Sequence, residues 1–415
     1  MKRIIGVIVL LGLMLTITFS VSDILEYNYG AEAKGLDRYI VVLKDDVKAD
    51  VNSMAQDMTG MQGFALEHVY NHALKGFSAR IPSYLLDKVI SDPRVRFVEQ
   101  DIVVQAFGQT LPTGINRIDA DLSTTAKIDN IDERVNADIA IIDTGIDQSH
   151  PDLNVQSMQK TCIPGTRNAN DDNGHGTHVA GIAAAKDNGF GVVGVAPGAK
   201  LYAVKVLDRN GSGFLSWVIC GIDWVTSKAT TIEVANMSLG CKCHSEAMHD
   251  AIKRSVAAGV TYVVAAGNSS DDVANFDPAS YPEVITVSAL ADSDGKCGGL
   301  GSPTAYGADD TLATFSNFGA GVDFAAPGVD IYSTYKGKSY STLSGTSMSA
   351  PHVAGAVALY KVNNSSAKPS EVQSALISGG IPQTQACDTV LNNGEGGFTA
   401  DPDTYAEPLV YAGKL

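Results

Sequence analysis

Apolar and polar positions follow two different rhythms along the chain. Over residues 37–104, short apolar runs and helical patterns predict the order strand, helix, two strands, helix, strand, which is that of a small ferredoxin-like sandwich. From about residue 137 onward, longer apolar runs alternate with helical stretches, a pattern typical of a mostly parallel sheet covered on both faces. The pattern therefore predicts an α/β fold preceded by a small α+β domain.

Five apolar runs are the predicted strands of the larger sheet. They are residues 139–142, 201–206, 234–239, 260–266 and 284–289. In sheets of this type, functional residues usually lie just past the carboxyl ends of the strands. Asp143, Asn268 and the glycine-rich segment before Ser347 lie at such positions, and we expect the chemistry there.

The N-terminus has the layout of an export signal. Lys2 and Arg3 precede an apolar run over residues 4–19. A membrane anchor is the alternative, although the run is slightly short for a span. We expect residues 1–22 to be a signal peptide, with cleavage as late as residue 33 as a second option. The mature protein is then secreted, without a membrane span, and retention at the cell surface stays open.

The composition indicates a globular, acidic protein. The 415 residues are 45% hydrophobic and 18% charged, which suits one large domain plus a smaller one. The formal net charge is −16, and no stripe of basic residues could neutralise phosphates. We therefore expect no nucleic-acid partner.

Six cysteines in an exported chain allow up to three disulfides. They are Cys162, Cys220, Cys241, Cys243, Cys297 and Cys387. Six cysteines permit fifteen complete pairings, and the sequence does not select among them. Cys220 lies in a helical run and could be a buried thiol. Cys241 and Cys243, with His244 and His249, could bind a metal, but their spacing matches no common zinc pattern.

Four residues carry the candidate chemistry. Ser347 lies at a predicted helix start, where backbone N–H groups favour negative charge. Asp143 ends a buried strand and could orient an imidazole, and His175 could take a proton from Ser347. The side chain of Asn268 could donate to an oxyanion. Singly, each residue could be a cap, turn or structural residue, but their joint occurrence at the strand ends of one sheet favours acyl transfer.

These residues, in the order Asp143, His175, Asn268 and Ser347, resemble the catalytic blocks of the subtilisin-like serine proteases. The resemblance runs from about residue 37 to about residue 378. It implies a catalytic domain over residues 108–415, with Asp143 as orienting acid and His175 as general base and then acid. Ser347 is implied as nucleophile and Asn268 as oxyanion donor in peptide-bond hydrolysis.

The resemblance also places the polypeptide substrate. Gly211, Ser212 and Gly213 look like one segment that flanks bound peptide, and Ser238, Leu239 and Gly240 look like the other. The resemblance further implies that the pocket for the residue before the scissile bond is lined by Ala265, Ala266 and Gly267. Plain turns and a packed strand are the alternative for these segments.

Residues 37–104 resemble the inhibitory propeptide of this family, which assists folding and leaves by self-cleavage. The segment from Gly108 resembles the start of the mature proteases, which predicts cleavage between Phe107 and Gly108. The enzyme must therefore cut after Phe107 once. We accordingly expect a pocket that accepts large apolar residues. Separately, we expect the protein to be a monomer.

Calcium is the cofactor that the resemblance implies. Side-chain oxygens of Gln109, Asp152 and Asn188 and carbonyls of Lys186, Phe190 and Val192 look like a strong calcium site, a hard-oxygen set that suits this ion. An ordinary capped helix end is the alternative.

Two regions depart from the family pattern. Residues 292–310 are an insert that we expect to be a surface loop. The match weakens after residue 378, and the tail after Cys387 looks loop-like. Two other classes of protein stay open, a catalytically silent relative and a dinucleotide-binding protein. The four intact catalytic positions argue against the first, and the lack of a Gly-x-Gly-x-x-Gly motif after the first large-domain strand argues against the second.

Overall fold

Four antiparallel strands and two helices form the first unit of the chain. The structure, a computed structural model, describes residues 36–48, 50–60, 64–101, 108–387 and 395–415. The chain divides into two compact units, residues 1–106 and 107–415. The elements of the first unit are β1 (Leu36–Leu43), α1 (Val51–Thr59), β2 (Ala65–Tyr70), β3 (Gly76–Pro82), α2 (Ser83–Ile90) and β4 (Val95–Gln100).

The sheet of this unit has the strand order β2-β3-β1-β4. Its core forms where apolar residues of β1 and β3, such as Val41 and Phe77, pack with the apolar face of α1, including Met54. Asp50 caps α1, because its carboxylate accepts a hydrogen bond from the Ser53 backbone nitrogen at 2.9 Å. The predicted small α+β arrangement is confirmed.

An eight-stranded, mostly parallel sheet is the centre of the second unit. In chain order its elements are α3 (Thr113–Arg117), β5 (Asp138–Asp143), β6 (Lys160–Thr161), α4 (His175–Ala184), β7 (Lys200–Lys205), α5 (Leu215–Thr226), β8 (Val234–Met237), α6 (Glu246–Ala257), β9 (Thr261–Ala265), β10 (Ile285–Ala291), β11 (Thr311–Leu312), β12 (Phe324–Pro327), β13 (Ile331–Tyr335), β14 (Ser339–Leu343), α7 (Thr346–Asn363) and α8 (Pro369–Gly379). The strand order is β11-β10-β9-β8-β5-β7-β6, and β12 also pairs with β10.

All strand pairs of this sheet are parallel except β10 with β11. Two hydrophobic clusters pack against its strands, as the fully apolar runs require. Helix α7 is buried on nearly all sides and packs against β8, β9 and β10. The predicted α/β class is confirmed, and α7 directs its N-terminus toward the ends of these strands.

The insert and the tail are more buried than the sequence suggests. Arg117 is fully buried and forms ion pairs of 2.8 Å with Asp292 and with Asp310. Leu409 in the tail is also fully buried, and it forms β-bridges to strand β12 and to residue 381. The expectation of a surface loop over 292–310 is therefore wrong for its ends. A buried guanidinium requires buried carboxylates nearby, and the insert supplies them.

Three disulfides use all six cysteines. Cys162 pairs with Cys220, Cys241 with Cys243, and Cys297 with Cys387. Cys220 is therefore not a free buried thiol. The metal alternative at Cys241 and Cys243 is also wrong, because their sulfurs bond to each other.

Residues 1–35 and 102–107 lie outside the described residues, and with them the predicted signal peptide and the Phe107 side of the predicted cleavage point. Across the ranges that the structure describes, no helix combines the length and the apolar character needed to cross a membrane.

Candidate active site

A buried carboxylate at the end of β5 holds an imidazole at the start of α4. Asp143 is fully buried, and its two carboxylate oxygens lie 2.8 and 3.0 Å from His175 Nδ1. The Thr144 backbone nitrogen also donates to Asp143, at 2.6 Å. Gly174 turns the chain into the helix with a φ of 116°, a conformation that favours glycine. The predicted pairing of Asp143 with His175 is thus present in the geometry.

Asp171 positions the segment that carries His175, and sequence reasoning missed it. Its carboxylate accepts from the Thr144 hydroxyl at 2.9 Å, from the Gly174 backbone nitrogen at 2.8 Å and from the Thr177 hydroxyl at 2.6 Å. These contacts tie the turn after β5 to the first turn of α4. The only available signal was an aspartate four residues before His175, which is indistinguishable from an ordinary helix cap.

The environment raises the pKa of His175. Burial alone lowers it, but the charge of Asp143, the hydrogen bond to Asp143 and the charge of Asp171 together outweigh burial, so the pKa lies above the ordinary value of 6.5. His178, one helical turn further, behaves oppositely. Burial lowers the pKa of His178 to about 4, and its Nε2 lies 3.0 Å from the Ile331 carbonyl oxygen.

Ser347 lies in the first turn of α7 and is held by the end of β8. Its hydroxyl donates to the Ser238 carbonyl at 3.3 Å, and the Ser238 hydroxyl donates to the Ser347 carbonyl at 2.8 Å. Asn236 donates to the Ser238 hydroxyl at 2.9 Å. Gly345 begins the helix with a φ of 154°, which also favours glycine. The hydrogen bonds with Ser238 and the turn at Gly345 together fix the position of Ser347.

Thr346 orients Asn268. The amide oxygen of Asn268 accepts from the Thr346 backbone nitrogen at 2.9 Å and from the Thr346 hydroxyl at 2.8 Å. The Thr346 hydroxyl also accepts from the Gly267 backbone nitrogen at 3.1 Å. With its oxygen engaged, Asn268 presents its amide nitrogen as a donor. Sequence reasoning missed Thr346, because a threonine beside a serine at a helix start looks like a cap.

Two adjoining cavities bring the predicted substrate residues together. The larger, of about 690 Å³, is lined by His175 and Ser347 and by both predicted flanking segments, Gly211, Ser212, Gly213, Ser238, Leu239 and Gly240. The smaller, of about 250 Å³, is lined by Asn268 and Ser347 and by Ala265, Ala266 and Gly267. The two cavities share Ser347 and the segment 239–241, so the smaller one adjoins the larger beside Asn268.

Comparison with known families identifies the family of the chain. Residues 136–396 match the model of the Subtilase family, and residues 38–107 match that of Peptidase inhibitor I9. The chain belongs to the subtilase family. It is accordingly a serine endopeptidase with an N-terminal inhibitory propeptide.

Individual relatives agree with this assignment. The subtilase is 36% identical over 356 residues to Subtilisin NAT of Bacillus subtilis subsp. natto, covering 84% of this chain and 86% of the relative. It is 39% identical over 281 residues to an alkaline protease of Alkalihalobacillus alcalophilus, covering 68% and 67%. A crystal structure of a cold adapted subtilisin-like serine proteinase superposes with a TM-score of 0.52 at 30% identity, covering 72% of this chain and 97% of that one.

The side chains predicted to bind calcium lie together. The amide oxygen of Gln109 accepts from the Asn188 backbone nitrogen at 2.9 Å, and the Asn188 amide nitrogen donates to Asp152 at 3.0 Å. The Val192 backbone nitrogen donates to the Asp152 carboxylate at 3.0 Å, and the Lys186 backbone nitrogen donates to the Asp152 backbone carbonyl at 2.9 Å. Phe190 completes the same loop, because its backbone nitrogen donates to the Asn188 side-chain oxygen at 3.1 Å.

A second acidic group lies in the insert. Asp292, Asp294 and Asp309 each place a carboxylate oxygen within 4.8 Å of the others. Asp292 already has Arg117 as a cationic partner at 2.8 Å. This group was not among the predicted metal ligands.

The electrostatics of His175 can be measured by NMR titration of the imidazoles in a Ser347→Ala background, which prevents self-digestion. We expect the pKa of His175 to lie above 6.5, and to fall below 6.5 in Asp143→Asn, because burial is then less well opposed. His178 is the internal control and should stay neutral down to about pH 5, given its pKa of about 4. A His175 pKa that Asp143→Asn leaves unchanged would contradict the assignment.

Proposed function

We propose that the subtilase hydrolyses peptide bonds through an acyl-enzyme formed on Ser347. One arrangement carries the proposal: Asp143 is buried 2.8 Å from His175, His175 and Ser347 line the larger cavity, and Asn268 and Ser347 line the smaller one. In this mechanism His175 accepts the Ser347 proton as the hydroxyl oxygen attacks the substrate carbonyl. Asp143 holds the imidazole in the required tautomer and stabilises the imidazolium.

Asn268 is proposed to stabilise the oxyanion. Its oxygen is engaged by Thr346, so the amide nitrogen and the Ser347 backbone N–H can donate to the developing charge. The N-terminus of α7 adds a favourable dipole. His175 then returns the proton to the leaving amine, and water hydrolyses the acyl-enzyme with His175 as base. Before the first transfer, the Ser347 hydroxyl exchanges its Ser238 partner for His175.

The substrate is proposed to lie as an added strand between the two flanking segments, 211–213 and 238–240. The side chain before the scissile bond enters the smaller cavity. Phe276 is 9% exposed and lines this cavity together with Ala265 and Ala266. The apolar part of the wall that these three residues form, together with a volume of about 250 Å³, supports a preference for large apolar or aromatic residues.

The same chain is proposed to be its own first substrate. Residues 1–22 serve as the secretion signal, residues 37–104 as the propeptide, and residues 108–415 as the secreted, monomeric enzyme. Processing between Phe107 and Gly108 releases the enzyme. The match of residues 38–107 to a peptidase inhibitor family supports this order of events.

Self-processing is tested by expressing the wild type beside Ser347→Ala and analysing the products by mass spectrometry. The wild type should lose its residues up to Phe107, with a new N-terminus within about three residues of Gly108. Ser347→Ala should keep its propeptide, because the nucleophile is missing. Ser344→Ala, a nearby serine that bonds to Asp330, is the matched control and should be processed like the wild type. Identical processing of wild type and Ser347→Ala would contradict self-cleavage.

Calcium is the proposed cofactor, held by Gln109, Asp152, Asn188 and the carbonyls of Lys186, Phe190 and Val192. Asp152 is fully buried and, among the described residues, has no ion pair. Burial raises the pKa of its carboxyl group. A bound cation would favour the charged form of this carboxylate. The carboxylate accepts from the Asn188 amide nitrogen, the Val192 backbone nitrogen and the Tyr340 hydroxyl, and calcium would take the place of these donors. The proposed ligands are all oxygens, and such a set suits calcium. Its role would be structural, fixing the loop that carries Asn188.

Calcium binding is tested by thermal unfolding with and without a chelator in the Ser347→Ala background. Saturating calcium should raise Tm by about 5 °C, since binding to the folded state alone stabilises it. Asp152→Asn should abolish most of this difference. Asp294→Asn, in the other acidic group, is the control and should keep it. If Asp294→Asn abolishes the difference and Asp152→Asn does not, the proposed ligand set is wrong.

A further inference from the structure

The disulfide between Cys241 and Cys243 differs from the other two in the length of chain that it closes. Its cysteines are 2 positions apart, whereas the other pairs are 58 and 90 positions apart. In the chain-entropy model, a cross-link stabilises a fold more when it closes a longer loop. The short disulfide therefore contributes little to global stability, and its effect is local.

The Cys241–Cys243 disulfide acts on the segment that separates the two cavities. Leu239, Gly240 and Cys241 line both the larger and the smaller cavity. The backbone of Cys241 is fixed to Asp277, since its N–H donates to the Asp277 carbonyl at 2.9 Å and its carbonyl accepts from Asp277 at 3.0 Å. The disulfide thus constrains a segment that contacts both cavities.

Lys242 stands between the two cysteines and lines the smaller cavity. Its ammonium lies 2.7 Å from Asp271 and 5.6 Å from the centre of the Phe276 ring. The Lys242 side chain is 66% exposed, and exposed ion pairs hold a lysine only weakly. The disulfide constrains the backbone on both sides of Lys242, and so fixes where this side chain extends from the chain.

Lys242 and Asp277 are the charged residues that line the smaller cavity. The carboxylate of Asp277 is engaged elsewhere, because it accepts from the Ser245 backbone nitrogen and from the Ser280 and Tyr281 hydroxyls. None of these three donors lines either cavity. The Asp277 side chain is only 1% exposed, so the exposed charge among the lining residues is the ammonium of Lys242.

We propose that Lys242, held by the Cys241–Cys243 disulfide, is a selectivity residue that excludes basic side chains from the smaller cavity. The inference rests on the proposed function, in which this cavity receives the side chain before the scissile bond. A lysine or arginine there meets a like charge, which is unfavourable. An aromatic side chain of the substrate would instead contact the Lys242 ammonium, which lies over the Phe276 ring, and the contact of a cation with an aromatic ring is favourable.

The test uses peptides that differ only in the residue before the scissile bond, phenylalanine or lysine. The measured quantity is the ratio of kcat/KM for the lysine peptide to kcat/KM for the phenylalanine peptide. Relative to the wild type, Lys242→Ala should raise this ratio by about ten-fold, and Lys242→Glu should raise it further. Lys253→Ala is the matched control, an exposed lysine paired with Asp250 at 2.8 Å on α6. It should leave the ratio unchanged.

The contribution of the disulfide is tested by a double variant, Cys241→Ser with Cys243→Ser. It should shift the ratio in the same direction as Lys242→Ala, with little change in Tm. The control is Cys162→Ser with Cys220→Ser, which should lower Tm and leave the ratio unchanged, because it removes a longer cross-link.

The outcomes separate the two proposals. A wild type that cleaves neither peptide contradicts the proposed function and this inference together. Cleavage with the same ratio in wild type and Lys242→Ala contradicts the inference alone. A changed ratio in Lys242→Ala but not in the double-cysteine variant contradicts the role of the disulfide.

Discussion

The burial of a charged carboxylate at the end of β5 is the constraint on which the active site depends. Asp143 has no exposed surface, so its charge must be compensated by groups that lie close to it. His175 at 2.8 Å and the Thr144 backbone nitrogen at 2.6 Å supply that compensation. The compensation of one buried charge therefore determines where α4 starts. Asp171 stabilises this position because it bonds both to Thr144 in the turn after β5 and to Gly174 at the start of α4.

Core packing supplies the second half of the site. Helix α7 has a sequence of small apolar residues and is buried along most of its length, so it can pack beneath the strands of the sheet, including β8, β9 and β10. Its first turn then meets the ends of β8 and β9. Ser238 bonds to Ser347, and Thr346 bonds to Asn268, so the proposed nucleophile and the proposed oxyanion donor are fixed by the same helix. Fold stability and catalytic geometry thus share the same contacts.

Much of this arrangement could be predicted from the sequence. Fully apolar runs mark buried parallel strands, and polar residues directly after them mark the site, as Asp143 and Asn268 show. Residues that act through other residues could not be found in this way. Asp171 and Thr346 are of types that commonly cap helices, and only the fold brings Thr346 to Asn268.

Contacts between residues that lie far apart in the sequence could not be predicted either. The ion pair of Arg117 with Asp292 joins α3 to the insert, and no periodic pattern signals such a contact. The disulfide pairing had fifteen possible solutions. The proposed calcium site could be predicted only in part. Its side-chain ligands can be named from the sequence, whereas its carbonyl ligands depend on the geometry of the loop.

The central claim is that Asp143, His175 and Ser347 act as one unit, and covalent labelling with an organophosphorus fluoridate tests it most directly. Peptide mapping of the mature enzyme should place one adduct, on Ser347. Asp143→Asn should slow labelling by about a hundred-fold or more, because the imidazole loses its partner. An adduct on another serine, or undiminished labelling in Asp143→Asn, would contradict the account.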